Sequence, residues 1–377
     1  MRFTPFGLEM WQSEHEQDVE YELADSGVQP VTLRELVNMG LEIEQLLDLP
    51  LRYPEVNGTR RLREQIAGLH PGASPDQVLV TVGAAEANGL LVQALTQPGD
   101  RVVVTSPNYP QLEGLALNHG CRVTQLRLQP DQKWRPDLEG LAAELRGDPP
   151  RLIALCNPNN PCGSVLDDAD RAALIELAAS SEAWLLVDEV YLGTELAGQP
   201  ETRTFFGDYD RAIAVGGLSK AYGLSGLRLG WIVAPPEVID AAWRRHEYAT
   251  ISAAAPSMAL AEFALSPQVR PRLLGRNRDL ITSGHATIAD WVRSQAPALS
   301  LVAPRATPVD FPRVHTGEDS LSLGRRLREH AGVLIAPGTF FGFDDHVRIT
   351  CALDRDLLEA ALGRIGAVLS QSGKLPA

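Results

Sequence analysis

Between residues 77 and 235, short apolar runs alternate with amphipathic stretches of helical length. Several of the runs consist almost entirely of Val, Ile, Leu and Ala, as in strands that are buried on both faces of a sheet. The pattern predicts a mainly parallel sheet covered by helices. The predicted strands are 78–82, 101–105, 122–128, 152–156, 184–187, 212–215 and 229–233. The predicted helices between them are 84–96, 110–118, 137–145 and 167–180.

After residue 235 the pattern becomes helical to about residue 293, and short strands then alternate with helices. The predicted strands are 299–302, 309–313 and 347–351, and the predicted helices are 320–330 and 356–369. We therefore expect an α/β protein in which a large domain with a seven-stranded sheet is followed by a smaller α+β domain. The expected boundaries are an N-terminal segment 1–40, a large domain 41–265 and a small domain 266–377.

Composition narrows the function classes. The chain has 377 residues, 44% of them hydrophobic, and a formal net charge of -14. An acidic chain is poorly suited to bind nucleic acid or an anionic membrane surface. No apolar run approaches the roughly 20 residues of a membrane span, residues 1–22 lack the pattern of a signal peptide, and the four cysteines lack a metal-ligand spacing. We expect a cytoplasmic protein with free thiols and no metal that acts on small molecules.

Lys220 follows the apolar run 212–215 and two glycines. A lysine at the end of a buried strand can lose its proton and act as a nucleophile, although most lysines are simply solvated. The run 219–230, Ser-Lys-Ala-Tyr-Gly-Leu-Ser-Gly-Leu-Arg-Leu-Gly, resembles the lysine motif of the class I/II pyridoxal phosphate-dependent aminotransferases, which have fold type I. The resemblance implies that Lys220 forms a Schiff base with pyridoxal 5'-phosphate.

Other strand ends carry residues that match the ring-binding positions of this family. Asp188 and Tyr191 follow one strand, Asn160 follows another, and Tyr109 lies in a proline-flanked loop. Ligands of open α/β sheets bind at the carboxyl ends of strands, although an acid there can also only cap a helix. The resemblance implies that Asp188 faces the ring nitrogen, that Tyr191 and Asn160 bind the phenolic oxygen, and that Tyr109 stacks on the ring. Cys162, before the final glycine of the loop that contains Asn160, stands where the family usually has Thr or Ser.

The resemblance also implies a phosphate site at the start of the helix predicted after strand 78–82, where backbone N–H groups and the helix dipole favour an anion. The residues assigned to the phosphate are Gly83, Ala84, Ala85, Ser219, Arg228 and, from the neighbouring subunit, Tyr53. Two hydroxyls that many relatives have are missing, at Ala85 and Gly217. The assignment of Tyr53 predicts a homodimer with shared active sites.

Arg348 matches the family arginine that binds the substrate α-carboxylate, and the resemblance adds Asn160 and Gly27 to the substrate site. The reaction that it implies is transfer of the amino group of an L-amino acid to a 2-oxo acid in amino-acid metabolism. In that reaction Lys220 moves the proton from Cα, while Asp188 keeps the cofactor electron-poor. Asp188, Tyr191 and Lys220 are the predicted catalytic residues.

A second reaction remains open. Segments 24–36 and 223–228 resemble a subgroup that includes capreomycidine synthase, which cyclises a modified arginine without net amino transfer. The acidic N-terminal stretch favours a cationic substrate if it closes over the pocket, but such a run is more often a solvated surface. Motifs common to both reactions do not separate an aminotransferase from a cyclase or lyase.

Two further classes fit the α/β pattern less well. A nicotinamide-dependent dehydrogenase would need a G-x-G-x-x-G after the first strand of a βαβ unit, and that motif is missing. An aminotransferase-like half of a transcription regulator is disfavoured by the acidic composition. Both rivals predict that Lys220→Ala leaves function intact.

Overall fold

The computed structural model describes residues 3–371. The helices are α1 (Gly7–His15), α2 (Leu33–Asn38), α3 (Ile43–Leu47), α4 (Arg60–Ala67), α5 (Gly83–Leu95), α6 (Gln111–Asn118), α7 (Leu138–Glu144), α8 (Asp168–Ser180), α9 (Pro236–Ala249), α10 (Ala255–Ala264), α11 (Arg270–Ser294), α12 (Ser320–Ala331) and α13 (Arg355–Gln371). The strands are β1 (Tyr21–Glu22), β2 (Val78–Thr81), β3 (Arg101–Ser106), β4 (Arg122–Gln129), β5 (Arg135–Pro136), β6 (Leu152–Cys156), β7 (Trp184–Asp188), β8 (Ala212–Gly217), β9 (Gly230–Val233), β10 (Leu299–Ser300), β11 (Val309–Asp310), β12 (Arg313–Val314), β13 (Val333–Leu334), β14 (Ala336–Pro337) and β15 (Val347–Thr350).

One large sheet confirms the predicted α/β class. Its strand order is β2-β9-β8-β7-β6-β3-β4-β5. All seven predicted strands are present, and β5 adds an eighth at the edge, antiparallel to β4. The pattern could not show β5 because two residues, one of them proline, form no apolar run.

The strand directions bring several loops to one edge. β3, β4, β6, β7 and β8 run parallel, and β9 is antiparallel to both β8 and β2. Two reversals restore the direction, so β2 ends at the same edge as β8. The register places Asp188 of β7 between Cys156 of β6 and Val215 of β8. The segments that follow β2, β3, β6, β7 and β8 therefore all meet at the carboxyl edge.

The C-terminal region is built around a smaller sheet with the order β11-β15-β14. The predicted strand 309–313 is wrong as one element, because it divides into β11, paired with β15, and β12, paired with β10. Pro312 lies between the two halves and has no N–H to donate to a continuous ladder. α11 spans both regions: Leu273 and Leu274 pack in the core beneath β9, whereas Ile281 and Ile288 pack with β15.

Residues 7–23, which include α1 and β1, are attached to the small sheet region. β1 pairs in parallel with β13, and the Trp11 indole N–H of α1 donates to the Ile335 carbonyl at 2.9 Å. The backbone N–H of Thr350 donates to the Leu23 carbonyl at 2.9 Å. The expected segments 1–40 and 266–377 extend at their outer ends beyond the described residues. Within residues 3–371, no helix combines the length and hydrophobicity that crossing a bilayer requires.

Candidate active site

A cavity of about 390 Å³ opens at the carboxyl edge of the large sheet. Its walls come from α1, from residues 25 and 26, and from the segments after β2, β3, β6, β7 and β8. The sequence-predicted residues that line it are Ala84, Ala85, Tyr109, Asn160, Asp188, Tyr191, Ser219, Lys220 and Arg228. One pocket therefore collects residues that lie up to 144 positions apart in the chain, from Ala84 to Arg228.

Lys220 is three residues beyond the end of β8, and its side chain is 25% exposed. Its Nζ donates to the hydroxyl of Ser26 at 2.8 Å. Asp25 Oδ1 lies 3.8 Å from the same nitrogen. Burial alone would raise the pKa of Asp25, but Lys220 and the backbone N–H of Ser26 bring that pKa below its ordinary value. The amine thus faces the cavity with a hydroxyl and a carboxylate beside it.

Asp188 is the last residue of β7 and is 8% exposed. Its Oδ2 accepts a hydrogen bond from Asn88 Nδ2 at 2.9 Å, and its Oδ1 accepts one from the Val190 N–H at 3.2 Å. Burial raises the pKa of the Asp188 carboxyl, while Asn88 and Val190 oppose that rise. A cation placed against this carboxylate would offset the cost of its burial.

Asn88 was missed by the sequence analysis. It lies on the buried face of α5 beside Leu91, and its amide also contacts Gln111 Oε1 at 3.1 Å. The available signal was a polar residue within the apolar stripe of a helix that starts at the sheet edge. That signal indicates a buried partner but does not identify it.

Tyr191, Asn160 and Arg348 form a chain of hydrogen bonds. Asn160 Nδ2 donates to the Tyr191 hydroxyl at 3.1 Å, and Arg348 Nη1 donates to Asn160 Oδ1 at 3.0 Å. The Tyr191 hydroxyl in turn donates to the Ser26 carbonyl at 3.2 Å, and burial raises the Tyr191 pKa. Arg348 is 1% exposed, and its Nη2 donates to the Ala24 carbonyl. Its Nε has no hydrogen-bond partner among the described residues.

The other end of the cavity is a concave group of donors at the start of α5. Gly83 has φ of +78°, and a Cβ there would lie 2.8 Å from Arg228 Nη2. Arg228 Nη1 donates to the Ser219 hydroxyl at 3.4 Å and to the Ser225 carbonyl at 3.1 Å. A Cβ on Gly230 would lie 2.4 Å from the Ala84 nitrogen, so the absence of a side chain lets α5 approach β9. The guanidinium and the helix N-terminus make this end suitable for an anion.

Tyr109 lies between the cavity and α1. Its hydroxyl donates to Glu9 Oε1 at 2.6 Å, and its ring centroid is 5.1 Å from that of Phe6. Burial, followed by the Glu9 carboxylate, raises the Tyr109 pKa. The aromatic ring therefore remains a neutral wall of the cavity.

Four of the predicted residues are not among those that line the cavity: Tyr53, Arg348, Gly27 and Gly83. Tyr53 is 76% exposed and does not line this cavity. Arg348 and Gly27 lie behind the wall, where the Thr350 hydroxyl donates to the Gly27 carbonyl at 3.3 Å. Gly83 is next to the lining residue Ala84 and shapes the anion-binding end by its close approach to Arg228.

Comparison with known protein families supports this interpretation of the cavity as an active site. The model for aminotransferase class I and II matches residues 44–365. The chain belongs to this family. It is thus an enzyme of the pyridoxal phosphate-dependent aminotransferase family, and the family implies that cofactor.

Individual relatives include both transferases and cyclases. Capreomycidine synthase of Streptomyces vinaceus is 34% identical over 375 residues, which cover 96% of this chain and 93% of that protein. The crystal structure of a PLP-dependent aminotransferase from Streptococcus suis superposes with a TM-score of 0.93 at 30% identity, covering all of both chains. The structure of the PLP-dependent cyclase OrfR has a TM-score of 0.89 at 25% identity, covering 98% of each chain. The predicted fold type I is confirmed.

Proposed function

We propose that this chain is a pyridoxal phosphate-dependent aminotransferase that transfers the amino group of an L-amino acid to a 2-oxo acid. The observation that carries the proposal is the convergence of Lys220, Asp188, Tyr191 and Arg228 on one cavity. These side chains offer an amine, a buried carboxylate, a phenol and a guanidinium, which together match the chemical groups of pyridoxal phosphate.

The residues present fit the cofactor. The buried carboxylate of Asp188, held by Asn88, suits a protonated ring nitrogen. The start of α5 and the Arg228 guanidinium line the same end of the cavity, and backbone N–H groups beside a guanidinium suit a phosphate. When bound, pyridoxal phosphate supplies an aldehyde that attaches amino groups and a ring that withdraws electrons.

Each of these side chains has a role in the proposed reaction. Lys220 Nζ would hold the cofactor and then carry the proton taken from the substrate Cα. Asp188 would keep the ring nitrogen protonated, and Tyr191 with Asn160 would donate to the phenolic oxygen. Tyr109 would cover the ring.

The phosphate would lie at the anion-binding end of the cavity. Its ligands would be the backbone N–H groups of Ala84 and Ala85, the Ser219 hydroxyl and the Arg228 guanidinium. A bidentate guanidinium and a helix N-terminus compensate for the two hydroxyls missing at Ala85 and Gly217.

Arg348 would bind the substrate α-carboxylate, with Asn160 and Gly27 beside it. Its Nε is a buried donor without a partner, and Asn160 fixes the position of its Nη1. Its Nη2 is occupied by the Ala24 carbonyl. A carboxylate that binds Nε and Nη2 together would replace that carbonyl.

We also propose a cytoplasmic homodimer in which Tyr53 reaches the phosphate of the partner subunit. Tyr53 is exposed and does not line the cavity of its own subunit, so a role at the phosphate would require a neighbouring subunit. Exposed apolar side chains support such a contact. They are Leu47, Leu51, Tyr53, Tyr248 and Ile251. We retain 1–40, 41–265 and 266–377 as the proposed N-terminal segment, large domain and small domain.

A cyclase or lyase that acts on arginine or a derivative is the second candidate. The capreomycidine synthase of S. vinaceus covers nearly the whole chain, and the substrate side of the cavity is acidic. Glu9 of α1, Glu16 directly after that helix, and Asp25 all line it. Carboxylates at that position would stabilise a cationic side chain.

A single-turnover experiment tests both candidates. The cofactor-loaded protein is mixed with single amino acids, including arginine, and no 2-oxo acid. Release of a 2-oxo acid with conversion of the cofactor to its amine form would support the aminotransferase and identify its donor. A rearranged amino-acid product without conversion would favour the cyclase or lyase.

The control is Lys220→Ala, which removes the amine and should abolish both outcomes. Borohydride reduction followed by peptide mass mapping should label Lys220 in the wild-type protein. Undiminished turnover of Lys220→Ala, or labelling of another lysine, would contradict the proposal.

A further inference from the structure

The segment 24–27 contacts the proposed catalytic lysine directly, and the function above assigns no chemistry to Ser26. Lys220 Nζ donates to Ser26 Oγ at 2.8 Å. Ser26 is 6% exposed and lies 194 positions before Lys220 in the chain. Among the described residues that line the cavity, Lys220 is the only lysine. Its contact with Ser26 forms only when the N-terminal segment has folded against the site.

The position of this hydroxyl is fixed by the backbone around it. The Ser26 N–H donates to Asp25 Oδ1 at 2.6 Å, and the Ser26 carbonyl accepts from the Tyr191 hydroxyl at 3.2 Å. On either side, the Ala24 carbonyl accepts from Gln12 Nε2 at 3.0 Å, and the Gly27 carbonyl accepts from the Thr350 hydroxyl. Ser26 is therefore anchored to both sheet regions.

Asp25 and Ser26 affect the amine differently. Asp25 Oδ1 is 3.8 Å from Nζ, too far for a hydrogen bond, and attracts the amine without orienting it. Ser26 Oγ is at hydrogen-bond distance and selects one position of a side chain that has four rotatable bonds. The hydroxyl is thus the directional contact.

We propose that Ser26 is a positioning residue for Lys220, holding Nζ at the cavity edge whenever that nitrogen is not attached to the cofactor. The inference rests on the proposed function, because it assumes that Lys220 attaches pyridoxal phosphate. Loss of the hydroxyl would leave Nζ to sample other rotamers. Attachment to the aldehyde would then be slower; in that condensation the neutral amine forms a C=N bond and the carbonyl oxygen leaves as water with the two amine protons.

The test compares Ser26→Ala with Ser26→Thr, which keeps a hydroxyl. Cofactor-free protein is mixed with pyridoxal phosphate, and the rate of the absorbance change that reports attachment to Lys220 is measured. Loss of one oriented hydrogen bond should slow Ser26→Ala by roughly tenfold, and Ser26→Thr should recover most of that rate. The matched control is Ser283→Ala, whose hydroxyl donates to the Leu280 carbonyl within α11, away from the cavity.

Binding of pyridoxamine phosphate, which lacks the aldehyde, separates positioning from folding. Its affinity should be the same in Ser26→Ala and in the wild type, since no lysine attachment occurs. Equal attachment rates in both proteins, a failure of Ser26→Thr to restore the rate, or an equal loss of pyridoxamine phosphate binding would each overturn the inference. A wild-type protein that binds no cofactor at Lys220 would instead refute the proposed function.

Discussion

Asn88 is expected to determine how tightly the cofactor is held, although no sequence motif includes it. Its amide donates to Asp188 Oδ2 at 2.9 Å inside the protein. A hydrogen bond to a charged group contributes about 1.5–3 kcal/mol. If Asp188 must be ionised to bind a protonated ring nitrogen, Asn88→Ala should weaken pyridoxal phosphate binding by about 10- to 150-fold.

The assay is equilibrium dialysis of the cofactor against wild-type and variant protein, with thermal unfolding to confirm that both fold. Gln111→Ala is the matched control, because Gln111 contacts the same Asn88 amide at 3.1 Å but does not touch Asp188. Gln111→Ala should weaken cofactor binding several times less than Asn88→Ala does. A cofactor affinity of Asn88→Ala within twofold of the wild type would refute the argument that Asp188 works as a carboxylate held by Asn88.

Two further substitutions test the anion-binding end and Glu189, a buried acid that follows Asp188 in the chain and accepts hydrogen bonds from Thr204 and Phe205. Gly83→Ala should weaken cofactor binding by roughly tenfold, because its Cβ would lie 2.8 Å from Arg228 Nη2 on a backbone with φ of +78°; Gly89→Ala on the same helix meets only Leu115 at 3.9 Å and should bind normally. Burial raises the pKa of Glu189 from 4.5 to about 7, so the folded protein binds the extra proton between these values and loses stability as pH rises through them. The free energy of unfolding in urea, taken as Glu189→Gln minus wild type, should therefore rise by about 3 kcal/mol between pH 4 and pH 8. A difference that does not change with pH would contradict the raised pKa of Glu189.

The large sheet could be predicted because its central strands are buried on both faces. The apolar runs of β6, β7 and β8 stand out against the polar segments around them, and their ends predicted the active-site edge. Two-residue strands produce no such contrast. β5 escaped detection for that reason, and Pro312 divides the predicted strand 309–313 into two short strands with different partners.

The residues of the candidate site also fall into two groups, those that a local sequence pattern could predict and those that it could not. Lys220, Asp188 and Asn160 could be predicted because each lies in a local motif at a strand end. Asn88 and Ser26 act through contacts with residues 100 and 194 positions away. No local pattern encodes such pairs, because they exist only after α5 and the N-terminal segment have packed against the sheet.

We expect the N-terminal segment to determine which substrate is accepted. The residues placed around the ring and phosphate come from the large sheet, and relatives that transfer amino groups and relatives that cyclise share the fold that supplies them. α1 instead connects the two regions across the cavity: Glu9 contacts Tyr109, and Trp11 donates to Ile335. A substrate side chain that extends away from the cofactor would meet this helix and its carboxylates before any residue of the shared motifs. We therefore expect substitutions in α1 that keep the contact between Glu9 and Tyr109 to change substrate preference more than cofactor binding.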